Sequence, residues 1–287
     1  MPTRTFGSTG RTVTPFGLGG EGVLRTFGQD AEAEKVIGRA IALGVTYLDT
    51  ARAYDGSEAY YGRYFQTNRA ARDRVFIASK TASRDAHGAL RDLETTLANL
   101  RIESLDLWQL HDLRTEDDLR AIGSPGGALE AFVEAKRSGR VRHLGVTGHY
   151  DPAVLLKAVE TLPIDSVLLP VNVIEGALGG FLTGVIPAAR RRGMAVVGMK
   201  AYGNGVLLAP PLGLTTEDLL RYALAQDVDT VIVGCRDEVE VAENVRSASV
   251  EPPMSEDEQA ELVNRTRKLA PFLAPYRGDH LAVSLSA

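Results

Sequence analysis

The sequence predicts an α/β fold: a closed (β/α)8 barrel, with a β-hairpin capping its bottom and an extra C-terminal helix. Three observations carry this expectation. Eight short apolar runs rich in β-branched residues recur along the chain, separated by stretches of helical period. The eight units occupy about 230 residues, a length that suits a closed barrel. Gly17, Gly19 and Gly20 cluster after the first run, but their spacing is not the G-x-G-x-x-G turn of an open dinucleotide-binding sheet.

The elements follow in order. Arg4–Phe6 and Thr12–Thr14, joined through Ser8-Thr9-Gly10, read as the hairpin. The eight runs are Pro15–Gly19, Val45–Asp49, Val75–Lys80, Leu105–His111, Val141–Val146, Ser166–Asn172, Ala195–Lys200 and Thr230–Gly234. Ala31–Leu43 gathers Val36, Ile37, Ala40 and Ile41 on one face, and Ala89–Leu100 spaces Leu90, Leu93, Leu97 and Leu100 by three and four. Ala128–Arg137, Pro152–Glu160, Val185–Arg192, Glu217–Ala225 and Glu238–Arg246 read alike, and Ser57–Phe65 is a weaker helix. Asp151 before Pro152 is a helix start, and Gly44, Gly139 and Gly193 sit where a left-handed C-cap favours glycine. Ser255 with Glu258 forms a capping box for the added helix, Glu256–Leu269. No linker divides the chain, so residues 1–287 are expected to form one domain.

Composition narrows the function. Of 287 residues 44% are hydrophobic and 24% charged, which supplies a large core. Thirty-seven acids against 32 bases give a net charge of −5, which disfavours a nucleic-acid partner. The one cysteine, Cys235, has no second thiol for a disulfide or a thiolate metal site. The five histidines (His87, His111, His143, His149, His280) show no ligand spacing with carboxylates, so no metal is expected. No apolar run approaches a membrane span and the first ten residues lack a signal-like core, so a cytoplasmic location is expected.

Barrel chemistry gathers at the C-terminal ends of the strands. The second run ends in Asp49, the third in Lys80 and the fourth in His111, and Tyr54 follows Asp49 by five residues. Alternation puts Phe76, Ala78 and Lys80 on one side, and Leu105, Leu107, Gln109 and His111 likewise. Trp108 has the opposite parity and is expected under a helix. Singly each polar residue reads as a cap, a solvated charge or a structural imidazole; together they make a mechanism. Lys80 is expected to lower the pKa of Tyr54, Asp49 to hold Lys80, and His111 to orient a carbonyl oxygen. The set suits carbonyl reduction with a nicotinamide cofactor.

These residues resemble the aldo-keto reductase superfamily along almost the whole chain. Arg4–Gly10 is similar to its N-terminal hairpin, Gly44–Tyr54 with Ser57, Glu58 and Gly62 to its first signature, Arg74–Lys80 to its lysine strand and Asp106–His111 to its histidine strand. Gly139–Val146 and Glu243-Asn244 resemble two later blocks. The resemblance implies the tetrad Asp49, Tyr54, Lys80 and His111, and NAD(P)H bound extended without a Rossmann domain. It places Thr147 and Gly148 where many members carry Ser-Asn, Asn172 at an amide contact, and Met199 where many carry an aromatic ring over the nicotinamide. Tyr202 stands nearby. Gly20, Lys200, Gly203 and Gly205 join this cofactor-binding set, the two last by letting backbone approach the pyrophosphate. At the adenosine end Gly234 and Cys235 hold a common Lys-Ser position, Glu240 a common Arg position, and Arg236 is the cation left nearby; Glu243 and Asn244 complete the set. NADPH is the expected cofactor, with NADH as the alternative and an Arg236–Glu240 ion pair as the plain structural reading.

The expected partner is a small carbonyl or alcohol substrate, with sugars included. Substrate choice is expected in the loops Glu21–Gln29, Asp112–Gly126 and Asn204–Leu214 and the tail from Pro271, and the oligomeric state stays open. Two other functions fit the same residues: a Lys80 Schiff-base aldolase, or a non-catalytic cofactor-binding regulatory subunit. His149 follows the nicotinamide loop and is placed to line the site, with a solvated loop residue as the plain reading, and Arg190-Arg191-Arg192 is read as a solvated helix end.

Overall fold

A computed structural model describes residues 1–278. His280 and the last part of the tail lie outside the described residues. The strands are β1 (Arg4–Thr5), β2 (Thr12–Val13), β3 (Phe16–Gly22), β4 (Tyr47–Asp49), β5 (Phe76–Thr81), β6 (Leu105–Leu110), β7 (Val141–Thr147), β8 (Ser166–Pro170), β9 (Ala195–Met199) and β10 (Thr230–Cys235). β1 and β2 pair antiparallel as the hairpin. The other eight form a closed parallel barrel in chain order, β3 to β10, and β10 returns to pair with β3. The connecting helices cover the outer face of the sheet and the barrel's own side chains fill the inner one, so the strands read as near-continuous apolar runs.

Two apolar layers hold the fold. Inside the barrel Tyr47, Phe76, Ala78, Leu107, Leu168, Val197 and Ile232 pack together, and Phe6 from the hairpin turn joins them from below. The Phe6 ring lies 4.9 Å from Phe76 and 5.6 Å from Tyr47, centroid to centroid. Arg4 fastens the hairpin by donating to the carbonyls of Val228 (2.9 Å) and Leu224 (3.2 Å). The outer layer joins the opposite strand faces to the helices. There Trp108 stacks on Phe132 of the helix Ala128–Arg137, with centroids 3.9 Å apart. Leu105, counted with the inward set by parity, packs in this outer layer.

Capping chemistry behaves as its sequence dictates. The Asp151 side chain accepts from the Ala153 N–H at 2.7 Å, and Ser255 and Glu258 form the capping box of the helix Glu256–Thr266. Gly44, Gly139 and Gly193 have φ of 83°, 77° and 67°. Three features depart from expectation. The loop after β6 carries its own helix, Glu116–Gly123, capped by Thr115 and Asp118. The stretch before β9 splits into a π-helical turn, Phe181–Val185, and a helix, Ile186–Arg191, because Pro187 has no N–H to continue the ladder. Arg190, at the end of that helix, is not merely solvated: it pairs with Asp227 (3.0 Å) and Asp229 (2.8 Å). Among the described residues no helix is long and apolar enough to cross a membrane.

Candidate active site

The ends of β4, β5 and β6 bring Asp49, Lys80 and His111 to one face of the barrel, beside a cavity of about 550 Å³ that Asp49, Tyr54 and His111 line. Lys80 is fully buried beneath it. Its Nζ donates to Asp49 Oδ2 at 2.6 Å and to the Thr50 carbonyl at 2.8 Å, and lies 4.7 Å from the centroid of the Tyr54 ring. The His111 ring meets Tyr54 edge-on, 5.6 Å between centroids. Gly20 makes this packing possible: a Cβ there would stand 2.7 Å from the Asp49 carbonyl and 2.9 Å from the Tyr54 ring.

Electrostatics corrects one expectation. The phenol of Tyr54 is not lowered; burial, helped by the Asp49 charge, pushes it well above the ordinary tyrosine range. The group is therefore held in its protonated form. Burial, then the Lys80 charge, hold His111 down to about 3. Its imidazole is neutral across the physiological range and carries one N–H to offer. This has a consequence for stability. Between about pH 6.5 and 3 the unfolded chain binds a proton at this position that the folded chain does not, so the folded state weakens as pH falls through that window. His111→Gln should therefore flatten the acid side of the stability profile by up to about one proton, measured as urea midpoints at pH 7 and pH 4.5. An unchanged slope would show that His111 carries a proton in the folded protein.

Lys80 does not line the cavity, and two oxygen acceptors hold its ammonium. A Schiff base needs a free amine facing its carbonyl, so the arrangement disfavours the aldolase alternative.

The Aldo/keto reductase family model matches residues 16–210. The chain belongs to the aldo/keto reductase family. It is 23% identical to the uncharacterized oxidoreductase YqkF of Bacillus subtilis, over 93% of this chain and 97% of that protein. It is 30% identical to a 6-dehydroglucose reductase of Novosphingobium aromaticivorans, over 50% of each chain. In fold it is similar to the holo form of the aldo-keto reductase AKR11C1 from Bacillus halodurans, with a TM-score of 0.78, 22% identity and coverage of 92% and 96%. This aldo/keto reductase is thus an NAD(P)-dependent oxidoreductase of carbonyl and alcohol groups.

The residues expected at the cofactor divide into two groups in this aldo/keto reductase. Gly20, Thr147, Met199, Lys200, Tyr202, Gly205 and Gly234 line the cavity. Thr147 Oγ1 accepts from the Asp112 N–H at 2.8 Å, which leaves its own proton to offer. The second group does not line the cavity. Asn172 is fully buried and caps the helix Val173–Leu178, accepting from Ile174 and Glu175 and donating to the Lys200 carbonyl at 2.9 Å. Gly148 faces Leu113 and Leu155, and Gly203 is buried against Leu207. Cys235 is buried, its thiol pushed up to about 12 by that burial, and it accepts from Asn244, which accepts in turn from the Tyr202 hydroxyl at 2.5 Å. Glu243 lies outside the cavity lining. Arg236 and Glu240 pair with each other at 2.5 Å.

Three cavity residues lie in or beside loops expected at the site but were not singled out as contacts. Arg25 lies in the first loop with its guanidinium 5.1 Å from the Tyr54 centroid, paired with Glu21 at 3.0 Å. Asp112 pairs with Arg114 at 2.6 Å and faces His149 Nε2 at 3.2 Å. His149 is not a solvated loop residue; it lines the cavity and its Nδ1 donates to the Tyr276 carbonyl at 2.9 Å. No hydrophobic period marks these loop positions, so the sequence points to their loops and not to the individual side chains.

Proposed function

We propose that this aldo/keto reductase interconverts an aldehyde or ketone and its alcohol with Tyr54 as proton donor and acceptor. The carrying observation is the buried Lys80–Asp49 pair beneath the Tyr54 ring, with His111 at its edge and one cavity above. Burial keeps the Tyr54 phenol protonated until an alkoxide forms beside it. The Lys80 ammonium then favours the phenolate left behind, and Asp49 fixes that ammonium in place. The neutral His111 N–H orients the carbonyl oxygen and stabilises charge that develops there. Bound NAD(P)H supplies the hydride.

The residues present fit an extended nicotinamide cofactor. Met199 offers an apolar thioether for a ring face and Thr147 an adjacent hydroxyl. Gly19, Gly20, Gly22, Gly205 and Gly234 line the rest of the cavity, where backbone can approach a phosphate closely. Asn172, Gly203, Cys235 and Asn244 support this layer from behind. Loss of nicotinamide absorbance with a panel of aldehydes and ketones tests the reading; tight cofactor binding without any turnover would favour a regulatory subunit.

NADPH is the proposed cofactor, with NADH as the alternative. Arg236 stands at the end of β10 with its side chain 83% exposed. Solvent screens an exposed ion pair strongly, so its pairing with Glu240 can open to a phosphate at little cost. Arg236→Ala should raise the Kd for NADPH by about 3- to 10-fold and that for NADH by less than about twofold, read by fluorescence titration. Equal effects on both would remove Arg236 as a phosphate contact.

A further inference from the structure

We propose that the carbonyl substrate carries an anionic group, a carboxylate or a phosphate, and that the Lys200 ammonium receives it. This rests on the oxidoreductase reading above and adds the substrate class.

The backbone is the first observation. Lys200 has φ of 57°, in the left-handed region that disfavours a residue with a Cβ. Its carbonyl accepts from Asn172 Nδ2 at 2.9 Å and from the Gly203 N–H at 2.8 Å. Asn172 is fully buried and committed to its own helix, so the clamp does not yield. The strained conformation sets the direction of a side chain whose residue lines the cavity.

Charge matching is the second observation. The other cationic side chains that line this cavity have carboxylate partners, Arg25 with Glu21 at 3.0 Å and Arg114 with Asp112 at 2.6 Å, and Lys80 beneath it has Asp49 at 2.6 Å. Among the described residues Lys200 Nζ has no carboxylate within 4.0 Å. It reaches the neutral Oδ1 of Asn204 at 3.2 Å and lies 5.7 Å from the centroid of the Tyr276 ring. A half-buried ammonium gains most from an anion that arrives with the ligand.

Position is the third. Lys200 Nζ stands over the Tyr276 ring, the Tyr276 carbonyl accepts from His149 Nδ1 at 2.9 Å, and the same imidazole faces Asp112, the residue after His111. The ammonium therefore acts on the side of the cavity where His111 orients the carbonyl, which is where a substituent of the substrate would lie.

The test uses matched aldehydes: succinic semialdehyde against butanal, and glyceraldehyde 3-phosphate against glyceraldehyde. The wild-type protein should prefer one charged member over its neutral partner by about tenfold or more in kcat/KM. Lys200→Met should erase that preference through KM, and Lys200→Arg should keep part of it. Whichever pair shows the preference separates carboxylate from phosphate. No preference in either pair overturns the proposal, as does a Lys200→Met protein that keeps the preference but binds NADPH about tenfold more weakly; Lys200 would then serve the cofactor. If no aldehyde of either pair is turned over, it is the oxidoreductase reading that fails. Calorimetry with succinate and inorganic phosphate then decides: binding by wild type that is lost in Lys200→Met sustains the anion site, and no binding overturns it.

Discussion

Tyr54→Phe should lower kcat for aldehyde reduction by about 10²- to 10⁴-fold, the usual worth of a positioned general acid. The change removes one oxygen from a ring packed against Lys80, Arg25 and His111, and the ring itself still fills its place. Cofactor affinity should therefore hold within about twofold, and the loss should fall on kcat and kcat/KM together. Full activity in this variant would sink the tyrosine-acid mechanism. A rise in KM with kcat intact would make Tyr54 a substrate-binding residue only.

The second large effect concerns stability. Glu175 is fully buried in the helix Val173–Leu178 and pairs there with Arg277, itself buried. Glu175 Oε1 also accepts from the Tyr276 hydroxyl at 2.7 Å. These contacts bind the segment around Tyr276 to the barrel, and Tyr276 in turn holds His149 at the cavity. Glu175→Ala leaves the Arg277 guanidinium buried without its charge partner and should cost about 3–5 kcal/mol. Urea unfolding measures it. The double change Glu175→Leu with Arg277→Met should recover most of the loss, because an apolar pair of similar volume carries no desolvation penalty. A single-variant loss below about 1 kcal/mol would mean that water reaches Arg277.

The barrel was legible because a buried parallel sheet writes its pattern plainly. Runs such as Val75–Lys80 and Ala195–Lys200 are largely apolar on both faces, and glycine or a capping residue marks the helix ends between them. The convergence of Asp49, Lys80 and His111 was legible because strand ends order their side chains. Asp49 and Lys80 need no more than alternation to be aimed at one point. Loop geometry was not legible. Asn172 follows a strand and precedes a six-residue helix, too short to show a period, so capping and cofactor contact read alike in sequence. Asp112 and Lys200 adopt left-handed backbone without being glycine, which no local pattern announces. The shift of Tyr54 followed burial rather than its neighbouring cation, and burial is a property of the assembled site.

The return of β10 to β3 has a consequence for synthesis. Val231 pairs with Phe16 and Val233 with Leu18, so the first barrel strand waits for the last. At ribosomal speeds of about 5–20 residues per second, some 10 to 40 s separate their emergence. Through that interval the nascent sheet has two open edges, and β3 offers its ladder to any passing strand. Folding on the ribosome should thus depend on a chaperone or a nearby helix to shield β3 until residue 235 has left the tunnel, and stalling ahead of that residue should yield aggregation-prone chains.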